Sequence, residues 1–289
     1  MNRDMLLAIL VLTPSIVAVA IFIYFFIGWT FYISTVNWNT SVIDYTFTGL
    51  QNWQRMLSSF RFQTDLRNLV LYALGFMTQC IVIGFLLASF LDQRIKGEAI
   101  FRTIFIFPFA ISAVVTGVAW RWLMRPETGI NLLFESVGLG FLKSQWFAHP
   151  TLGILFITIA SSWQFAGYVM ALYLAGLRGI PLEVKEAAQM DGCNTWGLYR
   201  HIIIPMLTPV TFTVIVLTGM ASIRVFDIVT VMSGTGRAFS TDMLSTHMFE
   251  QMFTANRYSL AAVIGSFMII LSAFLVVPYL ISMRKEQER

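Results

Sequence analysis

The chain of 289 residues is 57% hydrophobic and only 12% charged, with a mean hydropathy of +0.73. A soluble domain of that composition would expose too much apolar surface to water, which leaves a polytopic membrane protein. The net charge of +4 is spread thinly with no lysine or arginine block, so nucleic acid is not an expected partner, and two cysteines, Cys80 and Cys193, do not make a disulfide framework.

A helix rising ~1.5 Å per residue needs about 20 apolar residues to cross ~30 Å of hydrocarbon. Runs of that kind predict spans over 6–33, 69–91, 103–124, 151–177, 207–232 and 259–283. The chain is therefore expected to be one all-α domain over 1–289 with six transmembrane helices. The opening run, "LLAILVLTPSIVAVAIFIYFFIGWTFYIS", is too long for a signal-peptide core and has no small-residue cleavage site, so it is expected to remain as the first span. Trp38, Trp53 and Trp146 lie in the outer connections and suit an interfacial aromatic belt. Pro14, Pro108 and Pro278 fall inside apolar runs, where a missing N–H and a ring clash kink a helix. In span two, Thr78 and Gln79 are polar candidates for helix–helix hydrogen bonding or for a path lining.

Span four contains "SSWQFAGYVM", in which Ser161, Gln164 and Tyr168 recur at helical spacing on one face, flanked by Trp163 and Phe165. Aromatic rings with a few amides and hydroxyls suit a sugar, whose C–H faces stack and whose hydroxyls donate and accept. The same face serves equally as a packing seam joined by interhelical hydrogen bonds.

Between spans four and five lies a long polar loop. Pro181 can open a helix there, with Glu183 at the positive end of its dipole, running to about Met190. Ala187 and Ala188 allow close approach of another surface, and Glu183 and Glu186 can meet basic groups. Gly192 permits the positive φ that ends the helix, and Asn194 is the expected N-cap of a second short helix ending before Pro205. The loop reads either as an interfacial linker or as a helix–turn–helix docking knob.

In span five, Thr218, Ser222 and Val225 share a face. Arg224 and Asp227, three apart, are expected either to form a local ion pair or to face the path and attract an anionic solute. Among the inter-span connections and tails, the set with both termini and the long loop holds ten Lys and Arg in roughly fifty residues, against seven in roughly ninety opposite. Both termini and the loop are therefore placed in the cytoplasm.

Glu186, Ala187, Ala188, Gly192, Ile202 and Pro205 reproduce the spacing E-A-A-x3-G-x9-I-x-L-P, with Ile204 where leucine is usual. This resembles the EAA loop of membrane-spanning subunits of ABC importers. "FTGLQNWQRML", "FRTIFIFPFAISAVVTGVAWRWLMRPETGINLL" and "VFDIVTVMSGTGRAFSTDML" are similar to segments of the carbohydrate-uptake branch, the last departing at Thr235 and Arg237. Short tails resemble the glycerol-phosphate and lactose type of first permease.

The resemblance implies a sugar-translocating permease subunit in a bacterial or archaeal cytoplasmic membrane, surrounded by lipid. Implied partners are a second permease, a cytoplasmic ATPase dimer that holds ATP and Mg, and an extracytoplasmic solute-binding protein. Glu186, Ala187, Ala188, Asp191 and Gly192 become coupling residues, Pro205 the junction into span five. Ser161, Gln164, Phe165, Tyr168, Thr218, Ser222 and Val225 fall at sugar-contacting positions of the maltose-type subunit. The chain carries no G-x-x-x-x-G-K-[ST] phosphate loop, H-E-x-x-H or G-x-S-x-G pattern, so neither catalysis nor a cofactor or metal of its own is expected. Importers of non-sugar solutes share the EAA loop, and a self-sufficient secondary transporter using Arg224 and Asp227 is the other reading.

Overall fold

The computed structural model describes residues 3–93 and 95–287. Arg94 and Arg289, two of the cations behind the expected orientation, lie outside the described residues. The chain is almost wholly helical, as it must be where hydrocarbon offers no partner to backbone N–H and C=O groups. Uninterrupted runs over Leu10–Ser34, Phe60–Asp92, Gly153–Gly179 and Tyr258–Ile281 are long and apolar enough to cross a membrane. Two bent pairs bring the number to six if each pair is one span.

Two compact units are present. The first comprises residues 1–63 and 247–270. Its α1 (Arg3–Val19) passes through a π turn at Ala20–Phe25 into α2 (Phe26–Ser34), so the first span is one rod. The short α3 (Gln51–Leu57) closes the end of α2: Asn52 Nδ2 donates to the carbonyls of Val36 at 2.7 Å and Ser34 at 3.2 Å, and Trp53 Nε1 reaches Ser34 Oγ at 3.0 Å. These orphan carbonyls explain the asparagine in "FTGLQNWQRML". Replacing Asn52 with leucine should cost about 1–3 kcal/mol, because buried carbonyls would lose their donor; a lowered thermal midpoint of the detergent-solubilised protein checks this.

Trp38 lies against Tyr258 with ring centroids 4.6 Å apart, and its backbone exchanges hydrogen bonds with Ser259. Trp38 and Trp53 thus hold the unit together. Arg61 sits 2.7 Å from Glu250 and, by that hydrogen bond, holds its carboxyl below the usual carboxylate range.

The second unit comprises residues 64–246 and 271–289. Most of α4 (Phe60–Asp92) belongs to it, with α5 (Glu98–Ala110), α6 (Ala113–Leu123), α7 (Ile130–Ser136) and α8 (Gly153–Gly179). α8 is the central helix, packing against α5, α6, the later α12 (Thr208–Ile223) and α13 (Asp227–Met232). Close approach requires glycine: a Cβ at Gly167 would stand 1.8 Å from the Phe105 carbonyl oxygen of α5. Gln79 Nε2 donates to Thr158 Oγ1 at 2.6 Å, so the span-two amide joins α4 to α8.

Two expected spans are corrected. The run 103–124 is broken: α5 and α6 meet at 96°, with Ile111 extended. The break lies just beyond Pro108, whereas a proline kink opens the turn before it. The run 207–232 ends as a helix at Ile223, and residues 224–226 leave helical geometry before α13 begins. The final helix, α15 (Tyr258–Gln287), follows α14 (Leu244–Phe249) and a π turn at Glu250–Thr254.

Candidate functional site

The long polar loop forms two helices. α9 (Leu182–Met190) starts just after Pro181, and Gly192, at φ 79°, ends it. Cys193 N–H returns to the Ala188 carbonyl at 3.0 Å, the six-residue bond that satisfies a helix end once a glycine turns left-handed. Asn194 caps α10 (Thr195–Leu198), its Oδ1 accepting from Gly197 N–H at 2.8 Å. The helix then continues through a π turn at Tyr199–Ile203 into α11 (Ile204–Met206). The second helix was expected to stop before Pro205. It runs through that residue because the wider π turn accommodates the missing N–H, and the bend of 64° falls at Leu207.

Glu183, Glu186, Ala187, Asp191 and Gly192 are exposed on this knob. Ala188 is not: it is 6% exposed and packs inward. Three further residues carry no functional role in the sequence analysis. Met190 is 88% and Trp196 72% exposed, large apolar side chains in a polar loop, which is the signal that would have found them. Lys185 turns inward, its Nζ 3.0 Å from Asp92 Oδ2 at the end of α4.

The span-four residues separate into two groups. Ser161 is buried, its Oγ accepting from Tyr72 OH at 2.7 Å and donating to the Ile157 carbonyl at 3.2 Å. Thr218 and Ser222 are also fully buried, returning their hydroxyls to the Val214 and Thr218 carbonyls at 2.6 and 2.8 Å. These three expected sugar contacts are packing groups here, because helical spacing places a residue on a face without saying what that face meets.

Gln164, Phe165 and Tyr168 are half-exposed. Gln164 Nε2 donates to the Ile111 carbonyl at 2.6 Å, satisfying the backbone at the α5–α6 break and leaving Oε1 as an acceptor. Tyr168 stacks on Phe109 at 4.9 Å and 13°, and Phe165 meets both rings edge-on at 5.5 Å. Trp163 of α8 meets Trp120 of α6 with ring centroids 6.0 Å apart. Phe109 and Trp120 complete aromatic pairs that the sequence reading left out, since they come from α5 and α6 rather than α8.

Arg224 and Asp227 form no ion pair among the described residues. Both are exposed, Arg224 Nε lies 3.4 Å from the Met220 carbonyl, and Asp227 opens α13. The expected local pair needs a continuous helix, and α12 has ended between them. Val225 is half-buried, its carbonyl accepting from Ser245 Oγ.

Residues 80–284 match the family described as binding-protein-dependent transport system inner membrane component. A probable ABC transporter permease protein of Pyrococcus horikoshii is 38% identical over 289 residues, 100% of this chain and 99% of the relative. A xylose/arabinose import permease protein of Haloferax volcanii is 32% identical, with 91% of this chain and 84% of the relative covered. The fold is similar to a chain of a bacterial alginate ABC transporter solved in complex with an alginate pentasaccharide-bound periplasmic protein, with a TM-score of 0.79 at 22% identity over 96% of this chain and 93% of that one.

Proposed function

Because the chain belongs to the family of binding-protein-dependent transport system inner membrane components, and is an ABC importer permease subunit, we propose that it forms half of a sugar path and couples that path to an ATPase through the α9–α10 knob. The family assignment sets aside the self-sufficient secondary transporter. In the proposed assembly a solute-binding protein delivers sugar to the outer face of two paired permeases, in a bacterial or archaeal cytoplasmic membrane. The knob and both termini face the cytoplasm, where a dimer of ATPase subunits binds ATP and Mg.

The observation that carries the coupling reading is the knob itself: two capped helices around Gly192, presenting Glu183, Glu186, Ala187 and Asp191 with exposed Met190 and Trp196. The bend at Leu207 then leads into α12. Motion of the knob would reach the membrane there, and transport requires solute and ATP to favour different members of a two-state set.

Phe109, Phe165 and Tyr168, with the Gln164 acceptor, are the proposed sugar platform: stacked rings meet the apolar faces of a sugar and one amide fixes its orientation. Val225, Arg224 and Asp227 are proposed as secondary path residues at the end of α12. Sugar is favoured over other solutes by this aromatic lining and by the pentose-importing relative.

Reconstitution tests the proposal. The chain with its partner permease, ATPase and binding protein should take up a mono- or oligosaccharide from a panel only when ATP is present. Uptake by the chain alone without ATPase would refute the coupling reading, and uptake of no sugar while another solute is carried would refute the substrate class.

A further inference from the structure

We propose that Asp92, Glu98, Arg178 and Lys185 form a two-bridge latch that makes the knob and the adjoining ends of α4, α5 and α8 turn as one body. The inference rests on the coupling reading above. Asp92 is the last residue of α4 and Glu98 the first of α5, on either side of the connection 93–97, which turns at Gly97 with φ 82°. Arg178 lies in the last turn of α8 and Lys185 in the first half of α9, on either side of the bend at Gly179, Ile180 and Pro181. Lys185 Nζ stands 3.0 Å from Asp92 Oδ2, and Arg178 Nη2 stands 2.7 Å from Glu98 Oε1. Arg102, one turn along α5, also pairs with Glu98. Four helix ends from two separate connections are thus cross-linked in pairs.

The bridges are partly shielded. Side-chain exposure is 21% for Lys185 and 16% for Asp92, so salt screens that bridge less than an ordinary surface pair, whereas Arg178 is 39% exposed against 19% for Glu98. They border a polar hollow of about 710 Å³ that also reaches Leu182 and Pro181. The covalent chain joins the knob only to α8 and, through α11, to α12. Without the bridges, a push on α9 would reach α5 through contacts along α8, and α4 through α8 and through the Tyr199–Phe85 ring contact beyond α10. With them it reaches α4 directly through Lys185 and Asp92, and it reaches the start of α5 through the end of α8, where Arg178 holds Glu98; α5 carries Phe109 of the aromatic platform. Glu183 and Glu186 on the same helix are exposed and remain for the ATPase side, whereas Lys185 faces the membrane bundle. These four are positioning residues; none is placed at the solute.

The complete importer in proteoliposomes, assayed for solute carried per ATP hydrolysed, tests the latch. Lys185→Asp should lower that ratio about fivefold or more, the low end of a coupling free energy between two sites, with ATP hydrolysis retained. The exchanged pair Lys185→Asp with Asp92→Lys should restore the wild-type ratio. If Lys185→Asp fails to assemble, Lys185→Met removes the bridge without placing like charges together and should show the same loss. A wild-type ratio in the assembled single variant, or a persisting loss in an exchanged pair of wild-type thermal midpoint, overturns the latch. Either result leaves ATPase docking intact, whereas failure of the coupling reading would appear as absence of ATPase binding to the wild-type chain.

Discussion

Replacing Gly167 with alanine should sharply lower the folded yield of this protein. The new Cβ would lie 1.8 Å from the Phe105 carbonyl oxygen, 2.6 Å from its carbonyl carbon and 3.0 Å from Ile106 Cα. All three are backbone atoms, so no rotamer change relieves the clash, and α5 and α8 must separate. Overpacking of a core costs about 1–3 kcal/mol and occasionally more. Here the cost should reach or exceed the upper figure, because separation also pulls the Ile111 carbonyl away from Gln164 and the Phe109 ring away from Tyr168. The thermal midpoint and monodisperse yield of the variant in detergent read the effect. Gly28→Ala is the control, since a Cβ there meets nothing within 4 Å. Equal stability of the two variants would show that α5 and α8 do not cross in this manner.

On the proposed docking of the knob, Trp196→Ala should weaken ATPase binding without unfolding the permease. Trp196 is 72% exposed and Met190 88%, so truncation removes little packing within the chain itself. An indole that leaves water on docking belongs to the residue class that dominates interface energies, and losing it costs about 2 kcal/mol or more, roughly 30-fold in affinity. Titrating the ATPase subunit onto the solubilised permease should show that weakening at unchanged thermal midpoint. Gly192→Val should also lower transport per ATP, by another cause: a β-branched residue at φ 79° is strained, so the turn between α9 and α10 is displaced. Wild-type ATPase affinity in Trp196→Ala would remove that residue from the proposed docking surface.

The knob was legible because its signals are local. A glycine that must turn left-handed, an asparagine that caps the helix two residues on and a proline near the bend are set by neighbours within a few positions, and Gly192 and Asn194 take the conformations their sequence context requires. The inward turn of Lys185 was not legible, since its partner Asp92 is 93 positions away. The same distinction divides the path residues. Ser161, Gln164 and Tyr168 share a face in any helix, yet Ser161 meets Tyr72, Gln164 meets a broken backbone and Tyr168 meets Phe109.

What the sequence by itself determined is the membrane class, the apolar runs and the knob, because hydrocarbon forces each run to close its hydrogen bonds within a helix and because caps and turns are short-range chemistry. The tertiary structure alone decided where runs three and five break, which hydroxyls are consumed by packing and which charges tie the knob to the bundle. Those outcomes depend on where one helix crosses another, and that is set by contacts such as Gly167 on Phe105 between residues far apart in the chain.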